Sequence, residues 1–207
     1  MRVAGLTTGL GEGPLWDAAR GLLWLVDIMA HRVLAHDPVS GATRAFDVGQ
    51  PVGAVALAAD DLVCAVRDGF GRLDPATGAF RLWVPVEADN PRTRMNDGYV
   101  DARGRFWAGT MSLHRERERG ALYRLDPDGT VTCHLSGVTT SNGIDWSADQ
   151  RRMYYVDTGH PRIDVFDFDV DAGTIANRRS FVTIDPAEGK PDGLVVDAED
   201  HVWLALW

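Results

Sequence analysis

Gly143-Ile144-Asp145-Trp146, the polar turn Ser147-Ala148-Asp149 and the apolar-aromatic run 152–157 make one copy of a segment that occurs five times in this chain. Its form is a glycine, an apolar triplet, Asp or Ser, a short polar turn and an apolar-aromatic run. The other copies run from Gly13-Pro14-Leu15-Trp16-Asp17 into 22–28, from 53–60 into 62–67, from Gly98-Tyr99-Val100-Asp101 into 105–111, and from 193–197 into 201–207. The lead glycines Gly13, Gly53, Gly98, Gly143 and Gly193 stand 40, 45, 45 and 50 residues apart. A repeat of about 40–50 residues is the length of a four-stranded propeller blade.

The fourth copy holds four strand candidates, 143–146, 152–157, 162–169 and 179–184. Tyr, Val, Ile and Phe fill them, and Gly, Pro and Asp punctuate them, as strand and turn chemistry require. In the third copy, 121–125 and 130–135 read as a hairpin about Asp126-Pro127-Asp128-Gly129. No amphipathic helix stands out. An all-β chain with this fixed period predicts a β-propeller rather than a sandwich. The repeats predict one domain over residues 1–207, with four full blades and the first two strands of a fifth. At about 45 residues per blade, that propeller is incomplete at its C-terminus.

Composition narrows the function classes. The 207 residues carry 21 basic and 30 acidic side chains, a formal charge of −9. Nucleic-acid binding is not expected, because phosphate contacts need clustered Lys and Arg. The densest charge cluster, Arg115-Glu116-Arg117-Glu118-Arg119, alternates in sign and reads as a solvated loop. Apolar residues make up 45%, enough for a core. No apolar stretch approaches the ~18–20 residues of a membrane span, and Met1–Gly5 shows no secretion signature. Cys64 and Cys133 alone make neither a disulfide framework nor a CxxC site, so a reducing cytoplasm is expected. Both cysteines read as small buried side chains in strands.

Corresponding positions in successive blades converge on a propeller axis. The residue before each lead glycine is Glu12, Val52, Asp97, Asn142 and Asp192. Two carboxylates and an amide oxygen facing one axis would suit a divalent cation such as Ca²⁺, Mg²⁺, Mn²⁺ or Zn²⁺. The same residue types before glycine also cap strand starts as turn formers. Arg94 and Asn96, two apart on an extended segment, share a side and could meet the hydroxyls or carboxylate of a sugar-like ligand. A solvated loop with a satisfied Arg accounts for that spacing equally well.

Leu10-Gly11-Glu12-Gly13-Pro14-Leu15-Trp16, Arg94-Met95-Asn96-Asp97-Gly98, Phe106-Trp107-Ala108-Gly109-Thr110-Met111, Gly120-Ala121-Leu122-Tyr123, Ser141-Asn142-Gly143-Ile144-Asp145-Trp146 and Pro191-Asp192-Gly193-Leu194 resemble, in order, the motifs of the SMP-30/gluconolactonase/regucalcin family. The resemblance implies a six-bladed β-propeller with one divalent cation (Ca, Zn, Mn or Mg) in a central channel. It implies hydrolysis of a small-molecule sugar lactone, metal ligands at Glu12, Asn142 and Asp192, and substrate contacts at Arg94 and Asn96. Asp192 would serve as both ligand and general base, or would orient the water from outside the metal's first coordination sphere. The family also uses a polar substrate contact after Gly-Thr-Met, and in loop 112–119 both Glu116 and Glu118 are candidates. Two other activities fit the same ligand types: a calcium-binding propeller without turnover, and a phosphotriesterase-like hydrolase.

The six histidines show no shared zinc spacing and read as packing or solvent-facing groups. The strand Trp and Tyr residues, Trp16 and Trp203 among them, read as inter-blade packing. Asp17, Asp60, Asp101, Asp149 and Asp197 follow the inner strands and read as turn formers. Gly9-Leu10-Gly11-Glu12-Gly13 opens no helix, so it is not a phosphate loop.

Overall fold

Every regular element among the described residues, 6–207 of this computed structural model, is a β-strand. The reading of Met1–Gly5 lies outside the described residues. The first blade is β1 (Gly11–Asp17), β2 (Leu22–Asp27), β3 (Arg32–His36) and β4 (Thr43–Asp47). The second is β5 (Val52–Ala58), β6 (Asp61–Val66), β7 (Gly69–Leu73) and β8 (Phe80–Pro85). The third is β9 (Thr93–Val100), β10 (Phe106–Ser112), β11 (Gly120–Leu125) and β12 (Val131–Val138). The fourth is β13 (Ser141–Trp146), β14 (Arg152–Asp157), β15 (Arg162–Asp169) and β16 (Thr174–Thr183). A two-stranded sheet, β17 (Pro191–Val196) and β18 (Val202–Leu206), follows. Each group of four is one up-and-down sheet with its strands in sequence order. This is the all-β propeller architecture that the repeats predict, with four blades and half of a fifth; the six-bladed type is what the family resemblance implies. No helix among the described residues is long and apolar enough to cross a membrane.

The hairpins that close each blade share one turn chemistry. Between β3 and β4, Asp37 Oδ1 accepts the Val39 N–H at 2.8 Å, and the Ser40 hydroxyl donates to Oδ2 at 2.6 Å. The Gly41 N–H returns to the Asp37 carbonyl at 2.8 Å, with Gly41 at φ +76°. Asp74 does the same with Ala76, Thr77 and Gly78 between β7 and β8. Asp126 with Gly129, and Asp169 with Gly173, close the third and fourth blades. The side-chain oxygen mimics a backbone turn, and glycine supplies the positive φ at no steric cost.

The chain divides into two compact units, up to Met95 and from Asn96. In the first unit, Trp24, Val26, Val33 and Phe46 of one sheet pack with Val52, Leu62, Cys64 and Val66 of the next. In the second, β14 shows how a blade is buried on both faces. Met153 and Tyr155 join Trp107, Leu122, Trp146 and Phe166, whereas Tyr154 and Val156 meet Leu194, Val196, Val202 and Leu204. Successive strand residues point to opposite faces, so an unbroken apolar run such as Met153-Tyr154-Tyr155-Val156 serves two interfaces.

Two expectations need correction. β16 begins at Thr174 and not near Arg179, because its first half is a polar, exposed edge with a register shift opposite Val165 and Asp167. Cys133 is exposed, since it lies on the outermost strand β12, while Cys64 is fully buried and its thiol is pushed up to about 12 by desolvation. Trp16 and Trp203, on the first and last strands, are exposed among the described residues. Val202 and Leu204 face the fourth blade, so Trp203 between them must face away. Trp24, Trp107, Trp146, Tyr154 and Tyr155 are buried as expected.

The turn aspartates also set the acid sensitivity of the fold. Trp203 Nε1 donates to Asp197 at 2.9 Å and, with the backbone N–H groups of His201 and Glu199, holds its carboxyl down at about 2. Hydrogen bonds from Ser40, Thr77 and Ser147 lower Asp37, Asp74 and Asp149 in the same way. A carboxyl depressed by folding contributes stability that is present above its unfolded pKa of about 4 and lost as pH falls through its folded value. The thermal midpoint is therefore expected to fall as pH drops from ~6.5 toward ~2, with the half-buried neutral His134, held at a pKa of about 4, contributing first and the turn aspartates below pH ~4. Calorimetry across that range checks it, and a midpoint unchanged down to pH ~2 would contradict it.

Candidate functional site

The position before four of the five lead glycines is a place where the ladder breaks. Register shifts fall between Glu12 and Leu15 in β1, Val52 and Ala54 in β5, Ser141 and Ile144 in β13, and Pro191 and Leu194 in β17. A bulge frees a residue from pairing and re-aims its side chain, and bulges gather beside functional sites. Val52 fills its position by packing and is fully buried in the core of the first unit. Glu12, Asn142 and Asp192 bring oxygens to theirs.

In the first unit, Glu12 is exposed on β1 and acts electrostatically on Arg94 of β9. Burial depresses the Arg94 pKa, and the negative charge of Glu12 works against that shift. Arg94 Nη1 donates to the Met95 carbonyl at 2.8 Å, which ties the guanidinium to its own strand.

In the second unit, a polar chain links three successive blades. Asn96 Nδ2 of β9 donates to the Ser141 carbonyl at 2.8 Å and to Asn142 Oδ1 at 3.1 Å. Asn142 Nδ2 donates to the Thr158 hydroxyl at 2.6 Å, and that hydroxyl donates to the Pro191 carbonyl at 2.7 Å. Asp192 follows directly. Its carboxyl is half-buried, and desolvation raises its pKa against a single opposing hydrogen bond from the Gly193 N–H. No basic side chain among the described residues pairs with it. Gly143 permits this approach: a Cβ there would lie 2.4 Å from Leu194 N and 2.9 Å from the Asp192 carbonyl.

The supporting residues were not among those the sequence singled out. Asp157, at the end of β14, accepts the Thr139 and Thr140 N–H groups at 3.1 and 3.0 Å. Asp27, at the end of β2, accepts those of Gly9 and Leu10 at 2.9 and 3.2 Å. Each thereby anchors the segment leading into its inner strand. Their signal was a Val-Asp pair closing the second strand, Val26-Asp27 and Val156-Asp157. Loop 112–119 folds onto the same region: Arg117 donates to the Gly159 carbonyl at 3.0 Å and the Glu118 N–H to Thr139 Oγ1 at 3.2 Å. Glu116 is half-buried and accepts from Ser112 Oγ at 3.3 Å, whereas Glu118 is exposed.

Among the described residues no group of three or more His, Cys, Asp or Glu side chains gathers. The expected ligand set is of another kind, with two carboxylates and one amide oxygen. Its chemistry fits a hard cation: the Asp192 carboxylate is desolvated without a basic partner, and Asn142 presents an oxygen whose orientation is held from behind. His134, held neutral at a pKa of about 4 by burial, stacks on Trp107 with ring centroids 4.5 Å apart and belongs to the packing.

Comparison with known proteins identifies the family. The family model described as SMP-30/Gluconolactonase/LRE-like region matches residues 10–207. The chain is 37% identical to regucalcin of Xenopus laevis over 97% of its own length and 69% of that protein's. The solved structure of a calcium-binding protein, regucalcin, from Agrobacterium tumefaciens is similar with a TM-score of 0.94 at 30% identity, covering 99% of this chain and 70% of that one. A gluconolactonase from Xanthomonas campestris is similar with a TM-score of 0.80 at 26% identity, covering 96% and 70%. With repeat, blade architecture and motif order in agreement along almost its whole length, this chain belongs to the SMP-30/gluconolactonase/LRE-like family.

Proposed function

We propose that this protein is a divalent-metal-dependent hydrolase of sugar lactones. The observation that carries the reading is the half-buried Asp192 carboxylate, unpaired with any base among the described residues and one residue on from the Pro191 carbonyl that ends the hydrogen-bond chain from Asn142. The reading takes the blades as one propeller domain, so that Glu12 joins Asn142 and Asp192 as ligands. The cation would be Ca²⁺, Zn²⁺, Mn²⁺ or Mg²⁺, and when bound it supplies Lewis-acid polarisation of the lactone carbonyl and acidifies a bound water. The partner is a small sugar lactone; the acidic surface and the paucity of cysteines fit a cytoplasmic enzyme that does not bind nucleic acid.

The chain's own residues divide the remaining work. Asp192 accepts a proton from the attacking water as its oxygen bonds to the carbonyl carbon. The ring carbon–oxygen bond then breaks, and that proton passes to the departing ring oxygen, which leaves as a hydroxyl. Arg94 donates to substrate oxygens from a desolvated position, where a guanidinium interacts more strongly than in water. Both donor contacts of Asn96 are committed to Ser141 and Asn142, so its own Oδ1 is the group that faces a ligand. Asn96 thus accepts from a hydroxyl, which favours a polyhydroxylated ring.

The test is a pH-stat assay of gluconolactone beside a fluorophosphonate, before and after EDTA. Lactone turnover is expected to fall at least about 100-fold on metal removal and to return with added cation, with little fluorophosphonate hydrolysis. Turnover that survives EDTA defeats the proposal. Calcium binding without lactone turnover under any divalent ion would instead favour a binding protein, the property named for the Agrobacterium relative.

A further inference from the structure

We propose that Thr158 is a positioning residue that fixes which end of the Asn142 amide faces the site; this rests on Asn142 acting as a ligand. A hydroxyl has one hydrogen, and the Pro191 carbonyl, which can only accept, lies 2.7 Å from Thr158 Oγ1. That hydrogen is therefore spent on Pro191. Towards Asn142, 2.6 Å away, the Thr158 oxygen is left as an acceptor and must meet the amide NH₂. A flipped Asn142 would bring two acceptors together at that distance.

The opposite end of the chain enforces the same polarity. The Ser141 carbonyl accepts from Asn96 Nδ2 at 2.8 Å, which holds that NH₂ where it also donates to Asn142 Oδ1 at 3.1 Å. Both termini of the chain are backbone carbonyls, which cannot reverse. Thr158 is itself held, because its N–H donates to the Thr140 carbonyl at 3.1 Å and the neighbouring Asp157 anchors Thr139 and Thr140. An amide oxygen is a weak ligand, and its value depends on being presented without competition from the NH₂ face. Asn142 Oδ1 accepts one hydrogen bond from Asn96 and keeps a second lone pair for a cation. Partners behind a ligand set its orientation, and their loss costs about 10–100-fold in metal affinity.

The test compares Thr158→Val, which keeps the shape and removes the hydroxyl, with Thr158→Ser, which keeps the hydroxyl, in the full chain. The EDTA-stripped proteins are titrated with Mn²⁺ alone by calorimetry, and the Asn142 side-chain NH₂ pair is followed by NMR without metal. Thr158→Val is expected to bind Mn²⁺ about 10–100-fold more weakly and to shift the Asn142 NH₂ signals, with Thr158→Ser within about 3-fold of the parent. A purely structural threonine would lower the melting temperature and leave the affinity of the folded protein unchanged. Unchanged affinity in Thr158→Val, or failure of Thr158→Ser to restore it, overturns the inference. Asn142→Ala separates the two claims. If it binds Mn²⁺ as tightly as the parent, the ligand reading and this inference fall together. If it binds weakly while Thr158→Val binds normally, only the inference falls.

Discussion

Asp192→Ala is expected to lower lactone hydrolysis at least about 1,000-fold, since a positioned general base contributes roughly 10²–10⁴-fold and the same side chain is a proposed ligand. The loss should not come from unfolding. Asp192 is a carboxylate pulled partly out of water with one backbone hydrogen bond to offset the cost. At neutral pH its ionised form disfavours the metal-free fold, because a carboxyl whose pKa is raised by folding loses stability as pH rises through that value. Metal-free Asp192→Asn is therefore expected to melt at or above the parent's temperature while remaining inactive. Hydrolysis rates and melting curves on the same preparations check both halves. An Asp192→Ala protein that is folded and retains a tenth of its turnover would end the assignment.

The second large effect is on stability. Gly143→Val is expected to destabilise the protein by about 3 kcal/mol, the upper range for overpacking. For a chain of this size that is a fall of about 6–12 °C in melting temperature. The new Cβ would lie 2.4 Å from Leu194 N, 2.7 Å from Leu194 Cγ and 2.9 Å from the Asp192 carbonyl, and turning the Leu194 side chain away would leave both backbone contacts in place. Relief requires β13 and β17 to separate, which opens the packing of Tyr154 and Val156 on Leu194 and Leu204. A Gly143→Val melting temperature within about 2 °C of the parent would show that the close approach is not a constraint.

Gly143 also shows what the sequence could and could not disclose. The inner-strand starts were legible because a glycine and an apolar triplet recur at a blade-length interval, and the register shifts fall at that same phase. The hairpin in the third blade was legible from Asp126-Pro127-Asp128-Gly129. The start of β16 was not, because Asn177-Arg178-Arg179 is polar, exposed and interrupted by a left-handed Asn177, so no alternation marks it as strand. How closely β17 approaches Gly143 is a distance no local pattern encodes. Thr158 escaped notice for a related reason. A threonine in a Thr-Gly-His-Pro turn is ordinary, and its role appears only when Pro191, 33 residues on, comes within hydrogen-bonding distance.

The contrast between the two thiols has a practical consequence. A sulfur with its pKa near 12 in the core of the second blade is inert to maleimides at neutral pH, while the one on β12 faces water. Among the described residues a single thiol is thus open to conjugation, on an outermost strand. A fluorophore or spin label could be attached at Cys133 without mutagenesis, leaving the inner strands chemically untouched.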